Sequence, residues 1–436
     1  MTEESKSRLV DYEREPVPEE KRRNWMELAS VWAGIAACLA ALMFGGVMGY
    51  HFSIADAVLA TAIGYVFSTT INICTGIVGY RTGLSTAFVS RFAFGNWGSA
   101  IIALVLAMGC YGWFAVQTGM FGETANAAYQ MITGQGWSSL GFIIIGGILM
   151  TLTAVIGYRA IAWLSVVAVP LMFALMVGSL YLVLQAHPWE EIVATPPPGP
   201  PLPLGVGISI AAGTYMVGAT IGPDIYRYAR RPRDVIVASI VGFFAATVAI
   251  VSIGAILSHA VGEWDLVKIM ITLGWGPIAM FFLIIAQWTT NDNNLYSAAL
   301  ALANVFRSPK WPKWKLTMIA GALGIALAAA GIYGQFVNWL MFLSALIPGI
   351  GGVFIIDFLI NRHLYTWDNI GNVRLFRPLA ILAWAIGSLI GVMTTAPPVG
   401  LGLFQLTTIS ALDAFLVAAG LQAIFSIIQR GSPKPI

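Results

Sequence analysis

Long apolar segments recur along almost the whole chain, and this feature restricts the possible folds more than any other. From Ala29 nearly to the C-terminus, stretches of hydrophobic residues follow one another with short polar connections between them. A helix of about 20 residues rises about 30 Å, which is the thickness of the hydrocarbon core of a bilayer. Only 10% of the residues are charged, against roughly 25% in soluble domains. The sequence therefore predicts an all-α membrane protein.

Twelve transmembrane helices are predicted from the positions of these segments. The predicted spans are 28–50, 54–79, 97–131, 139–157, 161–185, 205–228, 235–258, 276–305, 316–333, 336–360, 378–396 and 404–428. The polar stretch 1–27 does not have the short apolar core of a signal peptide, so the first apolar segment is expected to remain as a helix.

The basic residues predict the orientation of these helices. If the N-terminus is placed inside, every one of the 23 Lys and Arg residues except Lys268 falls in a cytoplasmic loop or tail. A positive-inside bias of this kind predicts an inner-membrane protein with both termini in the cytoplasm, and it supports an even number of spans. Because the basic clusters lie at helix ends, binding to nucleic acid is not expected.

Glycine and proline interrupt the first and the sixth predicted spans. The first contains Gly34 and Gly45-Gly46, and the sixth contains Gly213 and Gly222-Pro223. If the chain is divided at its Pro-rich connector (186–204), each of these two spans is the first helix of a group of five. Because five is odd, the two groups have opposite orientations in the membrane. Paired interrupted helices indicate a transporter with a binding site near the bilayer midplane. The alternative is that the glycines only permit close helix packing.

This division gives six predicted units. They are a cytoplasmic N-terminal tail (1–27), a first five-helix repeat (28–185), the Pro-rich connector (186–204), a second, inverted repeat (205–360), two additional helices (361–429) and a cytoplasmic C-terminal tail (430–436). The two additional helices are candidates for oligomer contacts, and the oligomeric state is left open.

Polar and aromatic side chains occur near the predicted midplane on several spans. Polar groups at this depth usually line a cavity. Trp113 and Gln117 stand one turn apart and share a helix face, so they offer a planar heterocycle an aromatic surface and an amide for its edge. Tyr215 on the sixth span is the candidate for the opposing aromatic face. The segment 34–38, which ends at Cys38, reaches the same depth.

Six consecutive polar residues, 289–294, lie in the middle of the eighth span. The hydroxyls of Thr289 and Thr290 stand about 100° apart around the helix. Together with backbone carbonyls of a broken neighbouring helix they can supply the neutral oxygens that a Na⁺ ion accepts. The alternative is that both hydroxyls bond to carbonyls one turn earlier. Asn291 and Asp292 are further candidates for contacting the substrate.

Other classes of function remain as alternatives. A proton-coupled carrier would use Asp292 or Glu123 as the titrating group. Glu123, near the external mouth, can also serve in gating or helix pairing, or simply be hydrated. A membrane-embedded enzyme would need a nucleophile, an acid/base pair or a metal cluster, and the sequence presents none. A passive channel would not need paired interrupted helices, and the absence of a Walker motif argues against ATP-driven transport.

Five segments together resemble the bacterial cytosine/purine permeases of the nucleobase-cation-symport family. They are GYRTGLSTAFVSRFAFGNWG (79–98), GWFAVQ (112–117), PDIYRYARRP (223–232), QWTTNDNNLYSAALALANV (287–305) and FLSALIPGIGGVFIIDF (342–358). The resemblance implies a sodium-solute symporter with a five-plus-five inverted repeat that works by alternating access. It also implies a nucleobase or a related planar heterocycle as the substrate.

The resemblance also implies two sets of site residues. The sodium ligands would be the side chains of Thr289 and Thr290 and the backbone carbonyls of Gly34, Ala37 and Ala286. The substrate ligands would include Trp113, Gln117 and Tyr215, with Cys38, Asn291 and Asp292 nearby. Cys110 and Val217 stand where cytosine permeases carry a glutamine and a serine, so two hydrogen bonds to cytosine are expected to be missing.

Overall fold

Helices form almost all of the chain in the computed structural model, which describes residues 15–156, 158–306 and 310–430. In those residues the only β-type pairing is an isolated bridge between Arg23 and Ala229. The predicted all-α class is therefore confirmed.

The helices follow the twelve predicted spans in order, and the spans keep their numbers here. The predicted start of span 12 at 404 is wrong, because residues 404–409 are not helical and the helix begins at Ser410. Span 1 is Trp25–Ala36 and Leu39–His51; span 2 is Ile54–Thr82; span 3 is the part of Thr86–Thr133 after Gly95; span 4 is Ser139–Ile156; span 5 is Tyr158–Ala186; span 6 is Leu204–Thr220 and Gly222–Tyr226; span 7 is Pro232–Ala238, the π-helix Ser239–Ala245 and Ala246–Val261; span 8 is Pro277–Val305; span 9 is Lys313–Ala329; span 10 is Phe336–Leu346 and Pro348–Asn361; span 11 is Pro378–Thr394; span 12 is Ser410–Arg430. Short helices lie before or between these spans, at Glu19–Lys21, Trp189–Ala194, Leu266–Thr272, Ile332–Gln335, Arg362–Leu364 and Trp367–Asn372.

Length and hydropathy identify some of these twelve spans as helices that can cross a membrane. Among the described residues, five helical stretches are long and apolar enough to cross a bilayer, and six if the bent pair in span 1 is one crossing. Four further apolar helices are shorter, at 10–17 residues. The chain is therefore a multi-pass membrane protein, and the total of twelve crossings stays a prediction.

Span 1 is interrupted, as predicted, but the break is not at its glycine pair. Its two helices meet at a 60° bend, where Cys38 is extended (φ −124°, ψ 154°). Gly45 lies inside the second helix and packs on span 7, because a Cβ there would come within 2.2 Å of the Val251 carbonyl oxygen. Gly49 packs in the same way against Ala255. For these two glycines the close-packing alternative is correct.

Span 6 is interrupted at Ile221, directly before the predicted Gly222-Pro223 pair. Gly222 is closely packed, since a Cβ there would lie 2.5 Å from the Thr75 hydroxyl oxygen of span 2. Tyr215 lies more than a turn before this break, within the continuous helix Leu204–Thr220. Tyr215, the predicted opposing aromatic face, therefore does not stand beside the break.

The spans pack in the reciprocal way that an inverted repeat requires. Span 2 packs on span 6 and span 7 packs on span 1, while spans 3 and 8 pack on each other and span 4 packs on span 9. The Thr75 hydroxyl of span 2 donates to the Ala219 carbonyl of span 6 at 2.7 Å. Exchanging the two groups of five helices leaves this pattern unchanged, which supports the predicted division, although the unit boundaries themselves stay a prediction.

The connector between the two predicted repeats is fastened to spans 1 and 7. The Gly199 amide donates to the Tyr50 carbonyl at 2.7 Å. The two ring nitrogens of His259 lie 2.8 Å from the Gly49 carbonyl oxygen and 2.9 Å from that of Thr195. The connector is therefore packed against the ends of spans 1 and 7.

Candidate functional site

The break in span 1 diverts two backbone carbonyls from helical hydrogen bonding. In a continuous helix the Cys38 amide would donate to Gly34 and the Ala41 amide to Ala37. Instead, the Cys38 amide donates to the Ala36 carbonyl at 2.7 Å, and the Ala41 amide donates to the Cys38 carbonyl at 3.2 Å. The carbonyls of Gly34 and Ala37, two predicted sodium ligands, thus lose their regular partners. Carbonyls released in this way inside a membrane protein need another partner, such as a cation.

Span 8 supplies the other predicted ligands. The Thr290 hydroxyl donates to the Ala286 carbonyl at 3.2 Å, which is the back-bonded geometry that the sequence left as an alternative. Two oxygens this close can also share one ion, since oxygen ligands lie at about 2.3–2.6 Å from Ca²⁺, an ion of similar size. The side chain of Thr289 lies outside the described part of the structure. Span 8 contacts Leu39–His51, the helix that follows the break in span 1.

The predicted cation ligands in this part of the molecule are neutral oxygens. Across the described ranges, no group of three or more His, Cys, Asp and Glu residues could hold a metal ion. The donor set of carbonyls and a threonine hydroxyl suits a hard monovalent ion, because such an ion accepts uncharged oxygens.

Trp113 and Gln117 form a buried face on span 3. Their exposed fractions are 9% and 2%, and the Trp113 ring meets Phe336 of span 10 edge to face at 5.9 Å between centroids. The Gln117 side-chain oxygen has no hydrogen-bond partner among the described residues. A buried amide oxygen without a partner is costly and calls for an explanation, such as a ligand or a bound water.

Tyr215 of span 6 contacts span 1 beside its break. Its hydroxyl donates to the Ile35 carbonyl at 3.2 Å, and the Cys38 thiol lies close to the same side chain. Its ring is held edge to face between Tyr65, at 5.7 Å, and Phe243, at 5.4 Å. Two predicted substrate residues, Tyr215 and Cys38, are thus brought together, and both lie against the segment that carries the predicted ion ligands.

Cys110 and Val217 lie where spans 3 and 6 touch. A Cβ at Gly109 would be 2.9 Å from a Val217 methyl carbon, and Cys110 is the next residue along span 3. Cys110 and Val217 are each 6% exposed. This corner therefore presents a thiol and two methyl groups.

Asn291 and Asp292 are engaged in contacts between helices. The Asn291 side-chain amide donates to the Phe114 carbonyl at 3.1 Å and to the Thr118 hydroxyl at 2.9 Å. The Asp292 carboxylate accepts from the Thr153 hydroxyl of span 4 at 2.9 Å. These bonds hold span 8 against spans 3 and 4, and a role for either residue in substrate binding stays a prediction.

Gln287 is fully buried on span 8 and was not among the predicted ligand residues. Its amide nitrogen donates to the Thr124 hydroxyl of span 3 at 3.1 Å, and its oxygen has no partner in the described part of the chain. An amide at membrane depth one turn before Asn291 was the signal that could have identified it. Glu123 is exposed and accepts from the Ser139 hydroxyl at 3.0 Å, so it pairs span 3 with span 4.

A membrane helix that is broken where Tyr215 contacts it, together with a buried aromatic and amide pair on span 3, is typical of a carrier that binds a small molecule within the membrane. The chain belongs to the family of permeases for cytosine/purines, uracil, thiamine and allantoin, whose sequence profile matches residues 16–417. This confirms the resemblance found in the sequence. Because the family consists of permeases, the chain is a transporter and not an enzyme.

Curated relatives agree with this assignment. The chain is 33% identical to the cytosine permease of Escherichia coli strain K12 over 373 residues, which is 85% of this chain and 86% of that protein. It is 26% identical to the hydantoin permease of Microbacterium maritypicum over 362 residues, which is 77% of this chain and 73% of that protein.

Solved structures show the same fold. Mhp1 in an inward-facing conformation gives a TM-score of 0.83 at 20% identity, covering 96% of this chain and 94% of Mhp1. Mhp1, a nucleobase-cation-symport-1 family transporter, in a closed conformation with bromovinylhydantoin bound gives 0.77 at 21% identity, covering 96% and 95%. The predicted fold, with interrupted spans 1 and 6, is consistent with this likeness.

Proposed function

We propose that this permease is a secondary active symporter that couples sodium influx to the uptake of a nucleobase or a related planar heterocycle. The observation that carries the proposal is the break at Ala37-Cys38. It frees the carbonyls of Gly34 and Ala37 for an ion, and the same segment accepts the hydrogen bond from Tyr215. An ion and a substrate that share one backbone segment can influence each other's binding.

The break provides a physical route for coupling. Sodium bound by the Gly34 and Ala37 carbonyls would hold the break in one conformation. That conformation positions the Ile35 carbonyl, to which the Tyr215 hydroxyl donates at 3.2 Å, and so orders one aromatic face of the substrate site. Coupling of this kind is reciprocal, so the substrate would raise sodium affinity by the same factor.

The substrate class follows from the composition of the buried face. Trp113 and Tyr215 offer aromatic surfaces, and the unpaired Gln117 oxygen accepts a ring N–H. Cytosine and hydantoin, which name two of the relatives, are planar rings with such N–H groups. Since Cys110 and Val217 provide no amide or hydroxyl, we expect cytosine to be recognised less well than a ring that is read from Gln117 alone.

Uptake into proteoliposomes tests the proposal. We expect radiolabelled substrate, drawn from a panel of pyrimidines, purines, hydantoins and allantoin, to accumulate when an inward sodium gradient is imposed. Accumulation driven by a pH gradient with sodium absent on both sides would instead establish the proton-coupled alternative. Equilibration without accumulation under either gradient would indicate a passive channel, and chemical conversion of the substrate would indicate an enzyme.

The same proposal places the protein in the inner membrane with both termini in the cytoplasm. A reporter fused after Ile436, or inserted in the loop 307–315, is expected to give a cytoplasmic signal because the basic loops stay inside. A fusion in the loop that contains Lys268 serves as the control and should give a periplasmic signal. A periplasmic signal from either of the first two would show that the span count is wrong.

A further inference from the structure

Residues 86–94, here called the junction helix, are the part of the helical stretch Thr86–Thr133 that precedes span 3. The two parts are divided at Gly95, whose φ is +80°. A Cβ at Gly95 would lie 2.9 Å from the Arg374 carbonyl oxygen and 2.9 Å from the Phe376 Cα. Glycine is therefore required both by the backbone conformation and by the close approach of the segment 374–377. The junction helix lies on the side of the molecule that carries the basic loops, here called the basic face.

The first end of the junction helix is capped by another span. Its own N-cap residue, Ser85, makes no side-chain capping bond. Instead, the Thr86 amide donates at 2.8 Å to the Asp224 carboxylate of span 6. A carboxylate in this position satisfies a free amide and interacts favourably with the helix dipole. Asp224 thus attaches the junction helix to the part of span 6 that follows its break.

The other end is attached to the segment between spans 10 and 11. The Arg377 amide donates to the Phe94 carbonyl at 3.1 Å, and its guanidinium donates to the Phe92 carbonyl. The same guanidinium pairs with the Asp357 carboxylate of span 10 at 2.7 Å. Asp357 is fully buried, so its carboxylate is shielded from water, whereas the Arg377 side chain is 16% exposed.

Three further donors complete the surroundings of Asp357. They are the Tyr365 hydroxyl at 2.6 Å, the Asn361 amide at 3.0 Å and the Gln422 amide of span 12 at 3.2 Å. A buried carboxylate with this many partners holds its neighbours in one arrangement. Spans 10, 11 and 12 are therefore joined at the basic face, and this cluster holds one end of the junction helix.

Three of the segments that carry the family resemblance meet here, and the proposed function gives none of them a role. Thr86 and Phe94 belong to the segment 79–98, Asp224 to 223–232 and Asp357 to 342–358. Span 3 continues from the junction helix to Trp113, and span 6 carries Tyr215 before its break. The junction helix therefore links the basic-face ends of the two spans whose aromatic rings form the candidate substrate site.

We propose that the junction helix is a strut through which the basic-face end of span 6 and the cluster around Asp357 move together during transport, and that Asp224 is the positioning residue for this movement. The proposal deepens the proposed function, because it concerns the transport step of the same site. The hydrogen bond of the Asp224 carboxylate goes to the junction helix, so we expect Asp224 to act on the exchange between conformations and not on the binding of the ring.

A pair of substitutions tests this in transport. Asp224→Leu removes the acceptor for the Thr86 amide, whereas Asp224→Asn keeps an oxygen in place. We expect the leucine variant to lower the maximal uptake rate about tenfold with the substrate Kd changed by less than about twofold, and the asparagine variant to restore most of the rate. Asp234→Leu removes another carboxylate of the basic face, which is also largely buried, and as the control it should leave the rate unchanged. Equal losses in both Asp224 variants, or a loss confined to affinity, would overturn the proposal.

A distance measurement tests the strut without substrate or sodium, so it stands even if the proposed function fails. Spin labels would be placed at Arg231 and Leu375, both exposed, after the three native cysteines are replaced by alanine. We expect a narrow distance distribution in the parent protein, a clearly broader one with Asp224→Leu, and a narrow one with Asp224→Asn or Asp234→Leu. An unchanged distribution in the leucine variant would contradict the strut.

A double-mutant cycle tests whether the two ends act as one unit. Distant, independent sites usually have additive effects. If Asp224→Leu and Asp357→Asn each disconnect the same strut, the double variant should transport nearly as fast as the slower single variant. Multiplied losses would show that the two ends act separately and would reject the strut. If Asp357→Asn lowers the unfolding temperature too far for assay, the comparison of the two Asp224 variants still decides the question.

Discussion

Thr290→Ala is expected to abolish the sodium dependence of substrate binding while leaving the protein folded. The Thr290 hydroxyl lies 3.2 Å from the Ala286 carbonyl oxygen, and both are proposed ligands of one ion that has already lost its water. Removing one ligand leaves that ion undercoordinated in a site that offers no carboxylate. We expect sodium affinity to fall by about a hundredfold or more, which corresponds to about 3 kcal/mol.

Two variants control for effects of the substitution itself. Thr290→Ser keeps a hydroxyl and should keep the sodium response. Thr151→Ala removes a similar buried hydroxyl on span 4, which bonds one turn earlier to Gly147 at 2.7 Å, and it should also keep the response. The measurement is the rise in unfolding temperature caused by sodium, with choline as the replacement cation, because an ion that binds the folded state stabilises it. A wild-type sodium response in Thr290→Ala would remove this residue from the ion site.

The interruption of span 1 shows what the sequence could and could not determine. Glycines on a membrane span indicate either a break or a close contact, and Gly45 and Gly49 turned out to be contacts with span 7. The break occurs at Ala37-Cys38, where the backbone angles are open to any residue, so no glycine marks it. One contact on this segment, the hydrogen bond from Tyr215 to Ile35, comes from span 6. No local pattern contains that information.

The polar run of span 8 also shows which parts of the site could be predicted from the sequence. Its position in an apolar segment correctly indicated that it must be engaged, because buried polar groups need partners. The partners of Asn291 and Asp292 are Phe114, Thr118 and Thr153 on spans 3 and 4. By contrast, Trp113 and Gln117 lie on one helix, and their spacing alone was sufficient to place them on one face. Spacing predicts a shared face, whereas the partner of a side chain depends on tertiary packing.

Gln117→Ala is expected to weaken substrate binding by about 1–3 kcal/mol, because it removes the buried amide that would pair with the ring edge. Gln117→Met, which keeps the volume but not the hydrogen bond, should weaken binding by a similar amount. Trp113→Ala should weaken binding of every planar ligand alike, since stacking does not depend on the pattern of donors and acceptors. The measurements are dissociation constants for cytosine, hypoxanthine and hydantoin in the presence of sodium.

The converse experiment changes specificity and not overall affinity. Combining Cys110→Gln with Val217→Ser returns an amide and a hydroxyl to the corner where spans 3 and 6 touch, and each new hydrogen bond is worth about 0.5–1.5 kcal/mol. The affinity for cytosine should therefore rise relative to that for the native ligand, and this ratio is the quantity to measure, since specificity is a difference of affinities. Cys110→Met with Val217→Ala changes volume without adding hydrogen bonds and should leave the ratio unchanged.

One result would reject this view of the site. If the wild-type protein already prefers cytosine, and Gln117→Ala leaves its affinity for cytosine unchanged, the ring edge cannot be read from span 3. Recognition would then have to come from span 8 through Asn291 and Asp292, and Asn291 would release Phe114 and Thr118 to reach the substrate. That rearrangement would break two hydrogen bonds of 3.1 and 2.9 Å between spans 3 and 8. Asn291→Ala would then weaken cytosine binding more than Gln117→Ala does, which is the opposite of the order expected here.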